Sequence, residues 1–253
     1  MPETERLGQP VRRGEQMIDD EREEMGPDGK TQSGETLPGW PRRLILILTE
    51  PVTLFQRLRE SPRALVALLL GGLLVALSNL AIPGEIWEEV VRDQLIAADQ
   101  DLPDDMGMAG RVGQVAAVFG AFIAWPIMGL VTAGVYALLF RFGLGYSGNF
   151  RQYLSVTAYA LLIPAMAALV VAPLRILVRD PQFSLNLAVL LPVGTEGFVP
   201  TFLGFLDLFN LWAYVLIGTG AAVMAGQERI TSSVVVSVGF ALVMSALVAA
   251  VVF

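Results

Sequence analysis

The chain has no cysteine and no histidine. These two absences exclude disulfides, Cys/His zinc sites, thiol nucleophiles and histidine acid–base chemistry. Lysine is nearly absent too: Lys30 stands against sixteen arginines, which reads as a genomic bias of the GC-rich bacterial kind. Charge is scarce overall. Charged residues make up 16% of the 253 residues, below the roughly 25% of an ordinary soluble domain. The net charge of −7 comes from two polar zones, and no basic patch of the size nucleic-acid binding needs is present. The first 40 residues lack a positive start followed by an apolar run, so no secretory signal is read there. Insertion is therefore expected to depend on the first spanning helix.

What is abundant is apolar sequence, at 54% of the chain and gathered in blocks. Five stretches run over 64–82, 112–140, 153–174, 201–225 and 230–253. Each approaches or exceeds the roughly 20 residues a helix needs to cross a bilayer core of about 30 Å. The expected fold is an all-α, polytopic integral membrane protein: a bundle of five transmembrane helices with a disordered N-terminal tail. Residues 1–40 form that acidic tail, around the run Asp19-Asp20-Glu21-Arg22-Glu23-Glu24. Residues 41–253 form the membrane domain.

Two amphipathic helices are expected outside the spans. In the first, over 51–60, Pro51 suits a first turn, and Leu54, Phe55 and Leu58 share one face. Arg57, Arg59 and Arg63 are placed to contact lipid headgroups, so this helix is expected to lie on the membrane surface. In the second, over 85–98, Ile86/Val90 and Trp87/Val91/Leu95 recur at helical spacing. The acidic loop that follows, Asp101 to Asp105, lacks the ligand spacing and turn glycine of an EF-hand and is expected to be solvated. Phe183–Val193 is too short to span and reads as an outer-surface or re-entrant piece.

Arginine placement gives a direction. Arg42, Arg43, Arg57, Arg59, Arg63, Arg141, Arg151 and Arg229 fall on one side of the five-span arrangement; Arg92, Arg111, Arg175 and Arg179 fall on the other. Under the positive-inside rule the amino terminus is cytoplasmic and, with five spans, the carboxyl terminus is outside.

Within the spans, Pro126 and Pro164 are the expected helix kinks. Asp207 is the only charged side chain, and burying it at mid-membrane costs several kcal/mol unless it is paired, hydrated or protonated. Asn210, three residues on, shares its helix face, and Asn79 and Tyr159 are further candidates for one intramembrane polar site. No nucleophile–base pair, phosphate loop or redox motif accompanies it. Neither an enzyme nor a cofactor is expected.

Four stretches together resemble the Ypt-interacting-protein (Yip) family in its bacterial branch. They are Glu50–Arg63, Ile86–Leu95, Gly148–Ala160 followed by Pro164, and Leu206–Trp212 followed by Gly218-Thr219-Gly220-Ala221. The order and spacing of the four carry the resemblance, which covers about 44–253. It implies five membrane helices and a cytoplasmic amino terminus. Eukaryotic members look like membrane organisers that associate with prenylated Rab GTPases; Rab-type GTPase binding is not expected in a bacterium. The expected role is a non-enzymatic scaffold or interaction protein of the bacterial cytoplasmic membrane. Its expected partners are the lipid bilayer and other membrane proteins or further copies of itself. The alternative is a small transporter or permease subunit with its polar centre at Asp207 and Asn210.

Overall fold

The computed structural model describes residues 37–192 and 194–252. The acidic tail over 1–36 lies outside the described residues. Every helix and turn from Leu37 onward belongs to one compact unit.

Ten α-helices are described: α1 (Trp40–Thr49), α2 (Pro51–Glu60), α3 (Leu65–Leu80), α4 (Gly84–Ala97), α5 (Met106–Gly143), α6 (Phe150–Ala160), α7 (Leu162–Val178), α8 (Phe198–Gly204), α9 (Leu208–Met224) and α10 (Thr231–Val252). A 3-10 turn over Leu187–Leu190 precedes α8. Among the described residues, three helical segments are long and apolar enough to cross a membrane: α5, α6 with α7 as one run of 29 residues, and α10. The pair α3 and α4 passes the same test together, but it is bent by 92° between them. α9 is a shorter apolar helix of 17 residues.

α5 is the central strut, 38 residues long. At about 1.5 Å per residue it reaches about 57 Å, well beyond a bilayer core. α3 packs along it, and the α4 face packs on its first turns. Gly110 makes that second contact possible: a Cβ there would lie 2.9 Å from the Glu88 backbone. Asp105 caps the start of α5 by accepting from Met108 N at 2.8 Å. The acidic loop thus ends in a helix cap.

α5 stays helical through Pro126. A proline leaves the carbonyl four residues earlier without its donor, here Phe122. That carbonyl faces α3, where a Cβ at Gly72 would lie 2.9 Å from it. Gly72 is therefore what lets the two backbones approach. Near Pro164, the other expected kink, α6 and α7 run on as one span with a local interruption. The break falls at Leu161, between α6 and α7, and Pro164 sits in the first turn of α7. The missing Pro164 N–H would have served Ala160, so the helix interrupts just before the proline.

The expected span over 201–225 is also corrected. It divides into α8 and α9, separated by Phe205, Leu206 and Asp207. Leu208 N donates to Leu185 O and Leu187 N to Leu206 O, both at 3.1 Å, so the break is held by a short bridge to the preceding loop. At the other end of α9, Gly226 (φ +68°) closes the helix. Gln227 N donates to Ala222 O and Gly226 N to Val223 O, the Schellman pattern.

α2 does not lay its apolar face on lipid. Leu54, Phe55 and Leu58 are fully buried, and α2 packs on α6 and α9. Gly220 on α9 receives them: a Cβ there would collide with Val156 and lie 3.2 Å from Phe55. An amphipathic helix gains as much from a protein groove as from a lipid surface, and here the groove was available. Arg59 is exposed on its other side, Arg63 is exposed beyond its end, and Arg57 is half-buried.

Candidate functional site

The four residues expected to share one polar site are distributed over both ends of the bundle. Asp207 is buried, at 9% exposure. It stands at the N-cap of α9 and not inside a helix, so its extended backbone turns the carboxylate onto the first turn. Its Oδ1 accepts from Phe209 N at 2.9 Å, Asn210 N at 3.0 Å and Asn210 Nδ2 at 3.3 Å. The carboxylate satisfies backbone donors that α9 would otherwise leave orphaned, and the positive helix end favours its charge. Asp207 and Asn210 are thus together as expected, with Asp207 as the cap.

Arg175, read from sequence only as a loop charge, lies in α7 and reaches across this end. Its Nε donates to Phe183 O at 3.0 Å, and its Nη1 donates to Ser78 Oγ at 3.2 Å. Ser78 Oγ in turn donates to Ala168 O at 2.7 Å. One arginine thereby ties α7, the loop after it and α3 together.

Asn79, the neighbour of Ser78, is directed to α5. Its Nδ2 donates to Ala117 O at 3.2 Å. Gln114 completes that seam by donating to Leu80 O at 3.2 Å and Ile82 O at 2.7 Å, carbonyls left open where α3 ends. Beyond this seam, Arg179 is paired with Glu89 of α4. The Arg179 guanidinium holds the Glu89 carboxyl below its usual range.

Tyr159 belongs to the opposite end. Its ring is fully buried and stacks on Trp40, with centroids 5.8 Å apart and planes 2° from parallel. Its hydroxyl accepts from Arg43 Nη1 at 3.0 Å. Arg43 is itself buried, at 7% exposure; its Nε donates to Pro38 O at 2.6 Å and its Cζ lies 4.7 Å from the Trp40 ring centroid. This latch pins α1 to α6. The spacing of Trp40 and Arg43, three apart on one helix face, was the available signal. It was obscured because arginines before a first span usually face headgroups. Nearby, Phe140 stacks with both Tyr146 and Tyr153 at 6.1 Å. Asn149 and Gln152 form a reciprocal capping box at the start of α6, and Gln152 Nε2 reaches Arg59 O at 3.3 Å.

The architecture has a sequence counterpart. A family model described as the Yip1 domain matches residues 45–251. The chain belongs to the Yip1 domain family. No characterised protein and no solved structure matches it. The matched Yip1 region begins within α1 and ends in α10, so the latch, the α2 wedge and both polar ends fall in or at the edge of the family domain. It is a membrane protein of that family, with helices suited to contact the lipid bilayer.

Between α5, α9 and α10 lies a cleft of about 640 Å³. Trp125 and Thr132 of α5, Asn210 and Tyr214 of α9, and Met244 and Ser245 of α10 are on its walls. Tyr136, also on its wall, donates to Ser237 O at 3.2 Å, while Ser237 Oγ donates to Tyr214 O at 2.7 Å.

Proposed function

We propose that this chain is a non-enzymatic scaffold of the bacterial cytoplasmic membrane, in the bacterial branch of the Yip family, acting through its lipid contacts and through other membrane proteins or further copies of itself. The observation that carries this reading is the use made of the polar side chains. Asp207 caps α9, Asn79 ties α3 to α5, and Tyr159 holds Arg43. Asp207 Oδ1 is taken up by the start of α9 and by the Asn210 amide, which favours the scaffold reading over a transporter centred on Asp207 and Asn210.

The proposed topology has five crossings. α3, at 16 residues, and α9, at 17, supply the two shorter ones. Each covers about 24–26 Å, and flanking apolar residues extend them to the core thickness. The side that carries α1, α2 and the exposed Arg42, Arg59 and Arg63 is cytoplasmic, and the far end of α10 is outside. Arg59 and Arg63, with Arg57 beside them, contact anionic headgroups at that surface.

The test is reconstitution of the wild-type protein and Asp207→Asn into sealed vesicles. The scaffold reading expects neither to conduct protons or small solutes. It also expects wild-type protein cross-linked in its native membrane to yield discrete complexes with membrane proteins or with itself. A flux that Asp207→Asn abolishes would overturn this reading in favour of transport.

A further inference from the structure

α1 is apolar on two sides. Its inner side is buried: Leu46 and Ile47 join the core, and Arg43 bonds to Tyr159. Its outer side is open. Ile45, at 59% exposure, and Leu48, at 52%, lie on that side together with the exposed Pro41. Val52, exposed as well, follows at the start of α2. Arg42 and Thr49, both exposed, form one edge of this open side.

A helix needs one apolar side to dock on its own protein. A second apolar side is unfavourable in water, in proportion to its area. Among the described residues nothing covers Ile45 and Leu48.

Two relationships bring this side to the bilayer. Tyr159, which holds Arg43, stands inside the apolar run of α6 and α7 suited to cross a membrane, well past its start at Phe150. α1 is therefore fixed against a candidate span and not beyond its end. Arg63 lies close enough to the same hydroxyl to act on it electrostatically. It stands two positions before α3, whose first residues, Leu65 and Val66, are apolar and exposed. One hydroxyl thus gathers the first turn of α1 and the entry to α3. Arg42 and Arg63 give this border the positive charge that anionic headgroups attract.

We propose that α1 is an interfacial helix whose open side continues the lipid-facing surface of α3. Ile45, Leu48 and Val52 sit among the acyl chains of the leaflet in which α3 begins, and Arg42 meets the phosphates of its headgroups. α1 takes the place that α2 leaves, because the apolar face of α2 is taken up by α6 and α9. The proposal does not rest on the scaffold reading, nor on which side of the membrane that leaflet faces.

The cysteine-free chain lets a spin label be placed at one position at a time. Full-length Ile45→Cys and Leu48→Cys are labelled in vesicles of phosphatidylcholine and phosphatidylglycerol. Collisions of each label with oxygen, which concentrates among acyl chains, are compared with collisions with a nickel chelate, which stays in water. Val131→Cys, exposed on α5, is the lipid reference, and Glu60→Cys, exposed at the end of α2, is the water reference. Both α1 positions are exposed, so a label at either leaves the Arg43–Tyr159 bond in place and each checks the other. Both labels are expected to shift from the behaviour of Glu60→Cys toward that of Val131→Cys, with oxygen collisions favoured over nickel. Nickel collisions matching Glu60→Cys would put this side in water, and labels screened from both reagents would put protein on it. Either result would overturn the proposal.

Discussion

The Arg43 guanidinium donates to the Tyr159 hydroxyl at 3.0 Å, joining residues 116 positions apart. The bond is charge-assisted and buried, and Trp40 stacks on the Tyr159 ring and contacts the guanidinium. Such a bond stabilises by about 1.5–3 kcal/mol. Tyr159→Phe is expected to cost about that much in a reversible unfolding measurement in detergent. Arg43→Lys is expected to recover little of an Arg43→Ala loss, because an ammonium cannot donate to Pro38 O and Tyr159 in the same planar geometry. Full recovery by lysine would mean that charge alone matters there.

Gly72 and Gly120 make a matched pair for the α3–α5 contact. A Cβ at Gly72 would meet the Phe122 carbonyl oxygen at 2.9 Å, and a Cβ at Gly120 would meet nothing within 4 Å. Gly72→Ala is expected to lose about 1–3 kcal/mol by forcing the helices apart. Gly120→Ala is expected to be neutral or to gain up to about 1 kcal/mol, since alanine loses less backbone entropy within a helix. Equal effects of the two in a thermal melt would remove the close approach as the reason for Gly72.

Asp207 is expected to behave as a cap. Asp207→Asn keeps an acceptor for Phe209 N and Asn210 N and should change stability little, whereas Asp207→Ala should cost about 1 kcal/mol. Hydrogen exchange localises the effect: the first turn of α9 should open more readily in the alanine variant only. If asparagine and alanine destabilise alike, the negative charge and not the cap geometry is what Asp207 contributes.

The Glu89–Arg179 pair gives a pH dependence of known sign. Pairing holds the Glu89 carboxyl below its ordinary value of 4.5. A carboxylate depressed in the folded state stabilises at pH values above its unfolded pKa, and the contribution is lost as pH falls through the folded pKa. Both groups are exposed, so the effect is small and screened by salt. Wild type should exceed Glu89→Gln in melting temperature at neutral pH and low salt. The gap should close below pH 4.5 and in high salt. A gap that widens on acidification would contradict the pairing.

The apolar blocks made an all-helical membrane protein legible in the sequence, because the length of an apolar run maps directly onto bilayer thickness. The break before α9 was harder to see, since Phe205 and Leu206 are as apolar as the helices on either side. The signal was Asp207 itself: a helix-capping residue type inside an apolar run marks a helix start. The fate of α2 was ambiguous for a different reason. Leu54, Phe55 and Leu58 form an apolar face that periodicity alone cannot assign to lipid or to protein, and only the groove at Gly220 and Val156 decides it. Arg43 and Arg175 were legible as charges but not as ties between helices, because their partners, Tyr159 and Ser78, are distant in sequence.

The five-crossing topology is tested most directly by a property noted at the outset, the absence of cysteine. Single cysteines can be introduced without a prior cysteine-free background. Glu60, Ser147, Gln100, Glu196 and Glu228 are all exposed. In sealed membranes of defined orientation, a membrane-impermeant thiol reagent should reach Gln100→Cys and Glu196→Cys from outside. It should reach Glu60→Cys, Ser147→Cys and Glu228→Cys only after the cytoplasmic face is opened. Labelling of Glu196→Cys and Glu228→Cys from the same side would mean that α9 does not cross, and would contradict the five-crossing bundle.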